Sequence, residues 1–85
     1  MSYFVYILRR KKDGSYYVGS TQDINERLLR HNQGRTNHTR ARRPWEFLYC
    51  EEFPDRSGAM KRENEIKRRK SKDYIESLVR TFRQV

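Results

Sequence analysis

Short apolar runs at strand-like spacing divide the first half of the chain into extended segments. The runs over residues 3–10 and 15–20 are rich in Phe, Val, Ile, Leu and Tyr, which suit the pleated surface of a strand. Asp13-Gly14 lies between them, and glycine accepts the positive φ that a hairpin turn requires. The pattern predicts a β-hairpin, followed by a third strand over residues 45–53.

Apolar residues at helical spacing follow the hairpin and dominate the second half of the chain. Asp23 precedes Glu26 by three residues, as in a capping box, and so begins the first helix. Asp55 or Ser57 caps a second helix, which runs to about Lys70.

The last periodic segment completes the predicted element order. Ser71 or Asp73 begins a third helix, in which apolar residues repeat at helical spacing. The order is therefore β-β-α-β-α-α. Three antiparallel strands packed by helices make an α+β fold, and 85 residues suffice for a single domain over residues 1–85.

Charge points to a polyanionic partner. The chain has 20 Lys and Arg against 11 Asp and Glu, a formal net charge of +9. The excess is segregated, because residues 27–43 contain six Arg and no acid, and residues 56–72 contain eight Lys or Arg and two Glu. This segregation favours a basic face for nucleic acid over a merely basic, well-solvated surface. The residues assigned to nucleic-acid binding are Arg35, Arg40, Arg42, Arg43 and Lys67.

Location is predicted from what the chain does not contain. Cys50 is the single cysteine, so no internal disulfide can form. No run approaches the roughly 18 apolar residues of a membrane span. The amino-terminal apolar run precedes its positive cluster, which is the reverse of the order in a signal peptide. We therefore expect a cytoplasmic protein with no membrane partner.

Two tyrosines on the hairpin are the first candidate site residues. A four-residue loop over residues 11–14 places Tyr6 opposite Gly19 and puts Tyr6 and Tyr17 on one face, roughly 7 Å apart at about 3.3 Å per residue. A two-residue loop keeps them on one face at twice the offset, whereas a loop of three or five residues separates them. Gly19, between them, leaves room for a ligand's backbone.

Two basic side chains on the first helix are the next candidates. Arg27 and His31 are four residues apart and so share one side of the helix. They lie at the edge of the stripe marked by Ile24, from which they can lean over the sheet. The alternative is a solvated arginine with a histidine at the boundary of the core.

A carboxylate in an apolar stripe is the third candidate. The stripe of the second helix consists of Ala59, Met60 and Ile66. Glu63 falls inside it, and a buried carboxylate needs a partner because its charge is costly away from water. It is either a metal ligand or the partner of Lys67 or Arg62 in a salt bridge.

These residues, in this order, resemble the motifs of the GIY-YIG nuclease superfamily, in particular its small stand-alone bacterial members, and the nuclease subunit of excision repair belongs to the same superfamily. The motif residues are Tyr6, the triplet Tyr17-Val18-Gly19, Arg27, His31 and Glu63. The likeness covers about residues 3–70. Phe4 stands where the first triplet has glycine, and Val18 where the second has isoleucine. We expect no separate DNA-recognition domain of the kind that the larger members carry, which leaves substrate choice open.

The resemblance implies hydrolysis of phosphodiester bonds by a metal-dependent endonuclease, with DNA favoured over RNA and a role in DNA repair or processing. It implies one Mg²⁺ or Mn²⁺ held by Glu63, Arg27 bracing the developing phosphorane charge, and a base among Tyr6, Tyr17 and His31. Two alternative interpretations remain. In these, the chain is either a non-catalytic nucleic-acid-binding module or a helper subunit that relies on a protein partner for substrate recognition.

Overall fold

The computed structural model describes residues 2–33, 44–69 and 71–83. Its elements are β1 (Tyr3–Arg10), β2 (Tyr16–Thr21), α1 (Ile24–Asn32), β3 (Trp45–Phe53), α2 (Arg56–Arg69) and α3 (Lys72–Arg83). The strands form one antiparallel sheet in the order β2-β1-β3. The predicted α+β fold and its element order are confirmed. Within these ranges no helix has the length and apolar character needed to cross a membrane.

The hairpin closes through a four-residue loop, one of the loop lengths that the sequence leaves open. The N–H of Arg10 donates to the carbonyl of Ser15 at 2.8 Å, and the N–H of Gly14 donates back to the carbonyl of Arg10 at 2.9 Å. Gly14 has a φ of 72°, a region that L-residues with a side chain rarely adopt. The Asp13 carboxylate accepts the N–H of Ser15 at 3.0 Å and completes the turn.

The register of the hairpin fixes the relative position of the two candidate phenols. Tyr6 pairs with Gly19, and Leu8 pairs with Tyr17. Because side chains alternate between the two faces of a strand, Tyr6 and Tyr17 lie on the same face, offset by two residues. The predicted geometry of the pair is confirmed.

The central strand β1 is buried on both faces and separates two cores. Val5 and Ile7 pack with buried residues of α2 and α3 on one face. Tyr6 and Leu8 pack with Leu28 of α1 on the other. The alternation of strand side chains therefore sends the catalytic candidate Tyr6 to the α1 face.

A β-bulge in β3 interrupts this alternation. Ile7 pairs with Tyr49 and Leu8 with Phe47, so that Leu48 is an extra residue on β3. Leu48 and Tyr49 consequently pack together in the Val5 and Ile7 core, while Phe47 returns to the α1 face. The apolar run over residues 45–53 gives no sign of this irregularity.

Each helix begins at a side chain that caps its first turn. Asp23, Asp55 and Ser71 each accept the backbone N–H of the residue three positions further on, at 3.0, 2.7 and 3.2 Å. Of the alternatives left open by the sequence, Asp55 and not Ser57 caps α2, and Ser71 and not Asp73 caps α3. The predicted end of α2 at Lys70 lies outside the described residues.

The predicted apolar stripe of α2 is wrong in one member. Ala59 and Ile66 are buried, but Met60 is 46% exposed. Ala59 and Ile66 are separated by nearly two full helical turns and so lie on the same side of α2, whereas Met60 is more than a quarter of a turn away from Ala59. The helix therefore turns Met60 towards solvent. Glu63, one turn after Ala59, stays at the edge of the buried face with 19% of its side chain exposed.

An arginine fixes α2 against the rest of the fold. The guanidinium of Arg62 donates to both carboxylate oxygens of Glu51 on β3, at 3.0 and 3.2 Å. It also donates to the Tyr74 hydroxyl on α3 at 2.8 Å and to Glu65 at 2.6 Å. One side chain thus connects three elements and sets the position of α2, which carries Glu63.

Candidate active site

Three aromatic side chains meet on the α1 face of the sheet. The ring centroids of Tyr6 and Tyr17 are 6.2 Å apart, those of Tyr6 and His31 are 6.1 Å apart, and those of Tyr17 and His31 are 4.8 Å apart. The Tyr6 hydroxyl lies 3.1 Å from Nε2 of His31, within hydrogen-bond distance. The sequence predicts that β1, β2 and α1 bring these three residues together, and the structure does so.

Burial differs within this aromatic cluster. Tyr6 and His31 are fully buried, whereas Tyr17 is half-buried. Solvent and a bound substrate can therefore reach the cluster through Tyr17. The sequence places His31 at the boundary of the core, and its complete burial is a difference that needs a physical cause.

His31 is buried because two hydrogen bonds hold the end of α1 against the start of β3. The side-chain amide of Asn32 donates to the carbonyl of Trp45 at 3.0 Å, and the N–H of Trp45 donates to the Asn32 side-chain oxygen at 2.6 Å. Trp45 also packs edge-on against Tyr17, with 6.1 Å between ring centroids. Together these contacts hold the last turn of α1 against the sheet, and His31 is buried between them. The sequence does not identify Asn32 as a residue that positions the site, because no local pattern indicates a pairing between residues so far apart along the chain.

Gly19 lies directly against the Tyr6 phenol. A Cβ added at Gly19 would stand 2.6 Å from the Tyr6 hydroxyl oxygen, 2.8 Å from its Cζ and 3.1 Å from Cε1 of Tyr17. The space that the sequence reserves for a ligand's backbone is therefore occupied by Tyr6. Gly19 allows the phenol to lie flat across β2 and reach His31.

Electrostatics hold Tyr6 in its protonated form. Burial is the largest cause that raises the pKa of Tyr6 well above its usual value of 10.0, and the neighbouring Tyr17 and the charge of Glu63 act in the same direction. Arg27 lowers the pKa but is outweighed. At neutral pH Tyr6 is therefore a phenol, which can donate a hydrogen bond to Nε2 of His31 in the tautomer that leaves this nitrogen unprotonated. Of the three candidate bases, Tyr6 is therefore the one that burial keeps most firmly in its phenol form, which is a poor base.

The same surroundings keep His31 neutral. Burial is the largest cause that lowers the pKa of His31 below 6.5, and the positive charge of Arg27 adds to it. A neutral imidazole has one nitrogen that can accept a proton. Within the aromatic cluster, His31 is thus the group best suited to accept a proton at neutral pH.

This pKa shift predicts how stability depends on pH. Because the folded state lowers the pKa of His31 below 6.5, the unfolded state binds more protons in the window just below that pH. The contribution is therefore fully present above pH 6.5 and is lost as the pH falls through the folded pKa. Chemical denaturation between pH 5 and 7.5 should show a steeper decline for the wild-type chain than for His31→Gln, which lacks the titrating group. Parallel pH profiles for the two proteins would contradict the shift.

Arg27 and Glu63 act on the cluster through charge. Both change the pKa of Tyr6, in opposite directions. Glu63 belongs to α2, whose buried residues pack on the opposite, Val5 and Ile7 face. Its carboxylate accepts a hydrogen bond from Nζ of Lys67 at 2.6 Å, so Lys67 and not Arg62 is its salt-bridge partner.

A single carboxylate can hold a divalent ion only with help from water and substrate. In the parts of the chain that the structure describes, no group of three or more His, Cys, Asp or Glu side chains could hold a metal. Glu63 is half-buried, and one carboxylate with waters and phosphate oxygens completes an ordinary Mg²⁺ shell. The donor set therefore fits a hard ion of this kind, and Mn²⁺ accepts the same oxygen ligands.

The predicted nucleic-acid-binding residues are only partly covered by the structure. Arg35, Arg40, Arg42 and Arg43 lie outside the described residues. Lys67 lies on α2, with 51% of its side chain exposed and its ammonium group bound to Glu63.

The fold and the aromatic cluster define a class of small α+β domains with a polar site on one face of a three-stranded sheet. The family model of the GIY-YIG catalytic domain matches residues 2–75. The chain belongs to the GIY-YIG family.

Similar proteins are bacterial and comparable in length. A UPF0213 protein of Staphylococcus epidermidis is 46% identical over 66 residues, which cover 76% of this chain and 79% of the relative. A UPF0213 protein of Staphylococcus saprophyticus is 44% identical over the same share. A UPF0213 protein from Bacillus halodurans, whose solution NMR structure is known, is 38% identical in sequence. The two structures superpose with a TM-score of 0.58 over 95% of this chain and 85% of that protein. The GIY-YIG family supports an endonuclease-like function and a nucleic-acid substrate.

Proposed function

We propose that this chain is a divalent-metal-dependent endonuclease that hydrolyses phosphodiester bonds, with DNA favoured over RNA. The observation that carries the proposal is the buried hydrogen-bonded pair of Tyr6 and His31 beneath the half-buried Tyr17. Plain phosphate binding does not require a neutral imidazole beside a protonated phenol. Such a pair suits a hydrolase, because the attacking water must lose a proton and a neutral imidazole can accept it.

The aromatic cluster would move that proton away from the water. As Tyr6 passes its hydroxyl proton to Nε2 of His31, its oxygen takes a proton from the water on the side of Tyr17 in the same step, so that no free phenolate forms. His31 ends as an imidazolium, which returns the proton to solvent after turnover. This route gives His31 the role of base, Tyr6 that of relay, and Tyr17 that of positioning the water. Gly19 keeps the relay in place.

Two charged side chains would complete the site. Arg27 is close enough to lower the pKa of both Tyr6 and His31, and so it can also stabilise negative charge that develops on the phosphorane. Glu63 would hold the single Mg²⁺ or Mn²⁺, which when bound polarises the phosphoryl group and stabilises the leaving oxygen. Lys67 is exposed, so its ammonium group can leave Glu63 without disturbing the core.

The basic segments would supply most of the affinity. Four arginines are assigned to phosphate contacts together with Lys67: Arg35, Arg40, Arg42 and Arg43. We assign the activity to DNA repair or processing in the cytoplasm, a reducing compartment that suits the free thiol of Cys50.

A substrate panel tests the proposal. Supercoiled plasmid, single-stranded DNA and RNA are incubated with the chain in Mg²⁺, in Mn²⁺ and in EDTA, and binding is titrated with salt. We expect metal-dependent cleavage of DNA, and an affinity that falls steeply with salt because phosphate contacts release counterions. If the chain binds these substrates but cleaves none of them, the chain is a nucleic-acid-binding module and not a nuclease. The absence of both would favour a helper subunit that acts through a protein partner.

A further inference from the structure

A cleft opens at the end of the sheet where β2 leads into α1. It has a volume of about 390 Å³, and its wall includes Ser20 and Thr21 of β2, Arg27 of α1 and Arg56 of α2. Clefts of roughly 300–1,000 Å³ commonly hold small ligands or pieces of larger ones. Arg27 thus connects the cleft to the aromatic cluster, because it lines the cleft and its charge lowers the pKa of both Tyr6 and His31.

The cleft lining has two guanidinium groups and two carboxylates, but only one of the carboxylates is neutralised by an arginine outside the cleft. Its two carboxylates are already bound, since Asp23 caps α1 at 3.0 Å and Glu26 pairs with Arg30 at 2.7 Å. Among the described residues, neither Arg27 nor Arg56 is in an ion pair. Two guanidinium groups therefore line one cleft with their donors available, next to the hydroxyl group of Ser20.

We infer that this cleft binds the sugar-phosphate backbone of the substrate strand, with Arg56 holding a phosphate adjacent to the one that is cleaved. The inference rests on the proposed function and names the residues that would present the strand to it. A guanidinium matches phosphate oxygens with two parallel N–H donors, and such charge-assisted bonds are about twice as strong as neutral ones. Arg56 is then a binding residue that the motifs of the sequence do not mark.

The two arginines should differ in what they contribute. Arg27 changes the pKa of both Tyr6 and His31, so its charge is felt where the proton moves. Arg56 is not among the causes of either shift. Loss of Arg56 should therefore weaken binding and leave the chemical step unchanged, whereas loss of Arg27 should slow the chemical step.

The test compares Arg56→Gln with Arg80→Gln, an exposed arginine on α3 that removes the same charge away from the cleft. Binding of a fluorescent DNA oligonucleotide is measured by anisotropy over a range of salt, with Glu63→Gln in every protein to prevent cleavage. Single-turnover cleavage is measured without that change. Arg56→Gln should weaken binding about tenfold, reduce the salt slope by about one, and leave the rate at saturation unchanged. Arg80→Gln should stay within about twofold of the parent, and Arg56→Lys should recover most of the salt slope.

Equal losses for Arg56→Gln and Arg80→Gln would overturn the cleft assignment, because the effect would then be one of net charge. A slower rate at saturation with unchanged binding would overturn it as well. Thermal melts exclude misfolding as the cause, since Arg56 is exposed and its replacement should leave the melting temperature unchanged. If the parent binds DNA but does not cut it, the proposed nuclease fails while the anisotropy comparison still decides the role of Arg56.

Discussion

Glu63→Gln should reduce cleavage by at least about 10³-fold and leave nucleic-acid binding nearly unchanged. The amide keeps the size of the side chain but removes the negative charge that attracts a divalent ion. Metal assistance stabilises the transition state by several kcal/mol, and each step of about 1.4 kcal/mol changes the rate roughly tenfold. Binding depends chiefly on cations elsewhere on the surface, so its affinity and salt dependence should persist.

Stability separates a metal ligand from a structural salt-bridge partner. The pair of Glu63 and Lys67 is an i,i+4 ion pair with one partner half-exposed, of a kind worth about 0.3–0.5 kcal/mol. Its loss should lower the melting temperature by no more than about 2–4 °C in a domain of this size. Glu76→Gln, at an exposed position on α3, is the matched control and should leave cleavage and melting unchanged. If Glu63→Gln lowers the melting temperature by more than this and the variant still cuts in magnesium, Glu63 is a structural residue and not a metal ligand of the site.

Gly19→Ala should disable the site by displacing the Tyr6 phenol. The new methyl group would stand 2.6 Å from the Tyr6 hydroxyl oxygen, closer than atoms that are not bonded can approach. Tyr6 must shift, which breaks its 3.1 Å contact with His31. Overpacking of this kind destabilises by about 1–3 kcal/mol, which lowers the melting temperature by roughly 4–8 °C per kcal/mol. Cleavage per folded molecule should fall at least about tenfold, because the proton relay is interrupted.

Gly14→Ala is the control for this variant. Gly14 has a φ of 72°, and a Cβ there would meet no atom within 4 Å. The left-handed backbone costs an L-residue about 1–2 kcal/mol, so the stability loss is similar while the site is untouched. Activity per folded molecule, measured below both melting temperatures, should be normal in Gly14→Ala and low in Gly19→Ala. Equal activity in the two variants would show that the Tyr6 position does not matter for cleavage.

Local signals in the sequence account for most of the fold. The strand limits follow from apolar runs that end at turn residues, and Asp13-Gly14 marks the place of the hairpin, although it leaves open the length of the loop, and so the register. The capping residues Asp23 and Asp55 mark helix starts, because their carboxylates satisfy free N–H groups of the first turn. These features depend on neighbours within a few residues, and so the sequence alone predicts them or, as for the cap of α2, reduces them to two alternatives.

The burial of the site residues His31 and Tyr6 could not be predicted from such local signals. His31 is buried because Asn32 binds the backbone of Trp45, a contact between two segments whose relative position only the whole fold decides. The bulge at Leu48 likewise has no sequence signal, since apolar residues suit both faces of this sheet. The raised pKa of Tyr6 follows from the same burial, so its role as a protonated relay emerges only with the structure.

Metal-dependent hydrolysis at this site is tested most directly by single-turnover nicking of supercoiled plasmid. The wild-type chain and Glu63→Gln are purified side by side in the same way and assayed in Mg²⁺ and in EDTA at equal concentrations of folded protein. The account predicts nicking by the wild-type chain in Mg²⁺, none in EDTA, and a loss of at least about 10³-fold in Glu63→Gln. Equal nicking by the two proteins, or nicking that persists in EDTA, would contradict it.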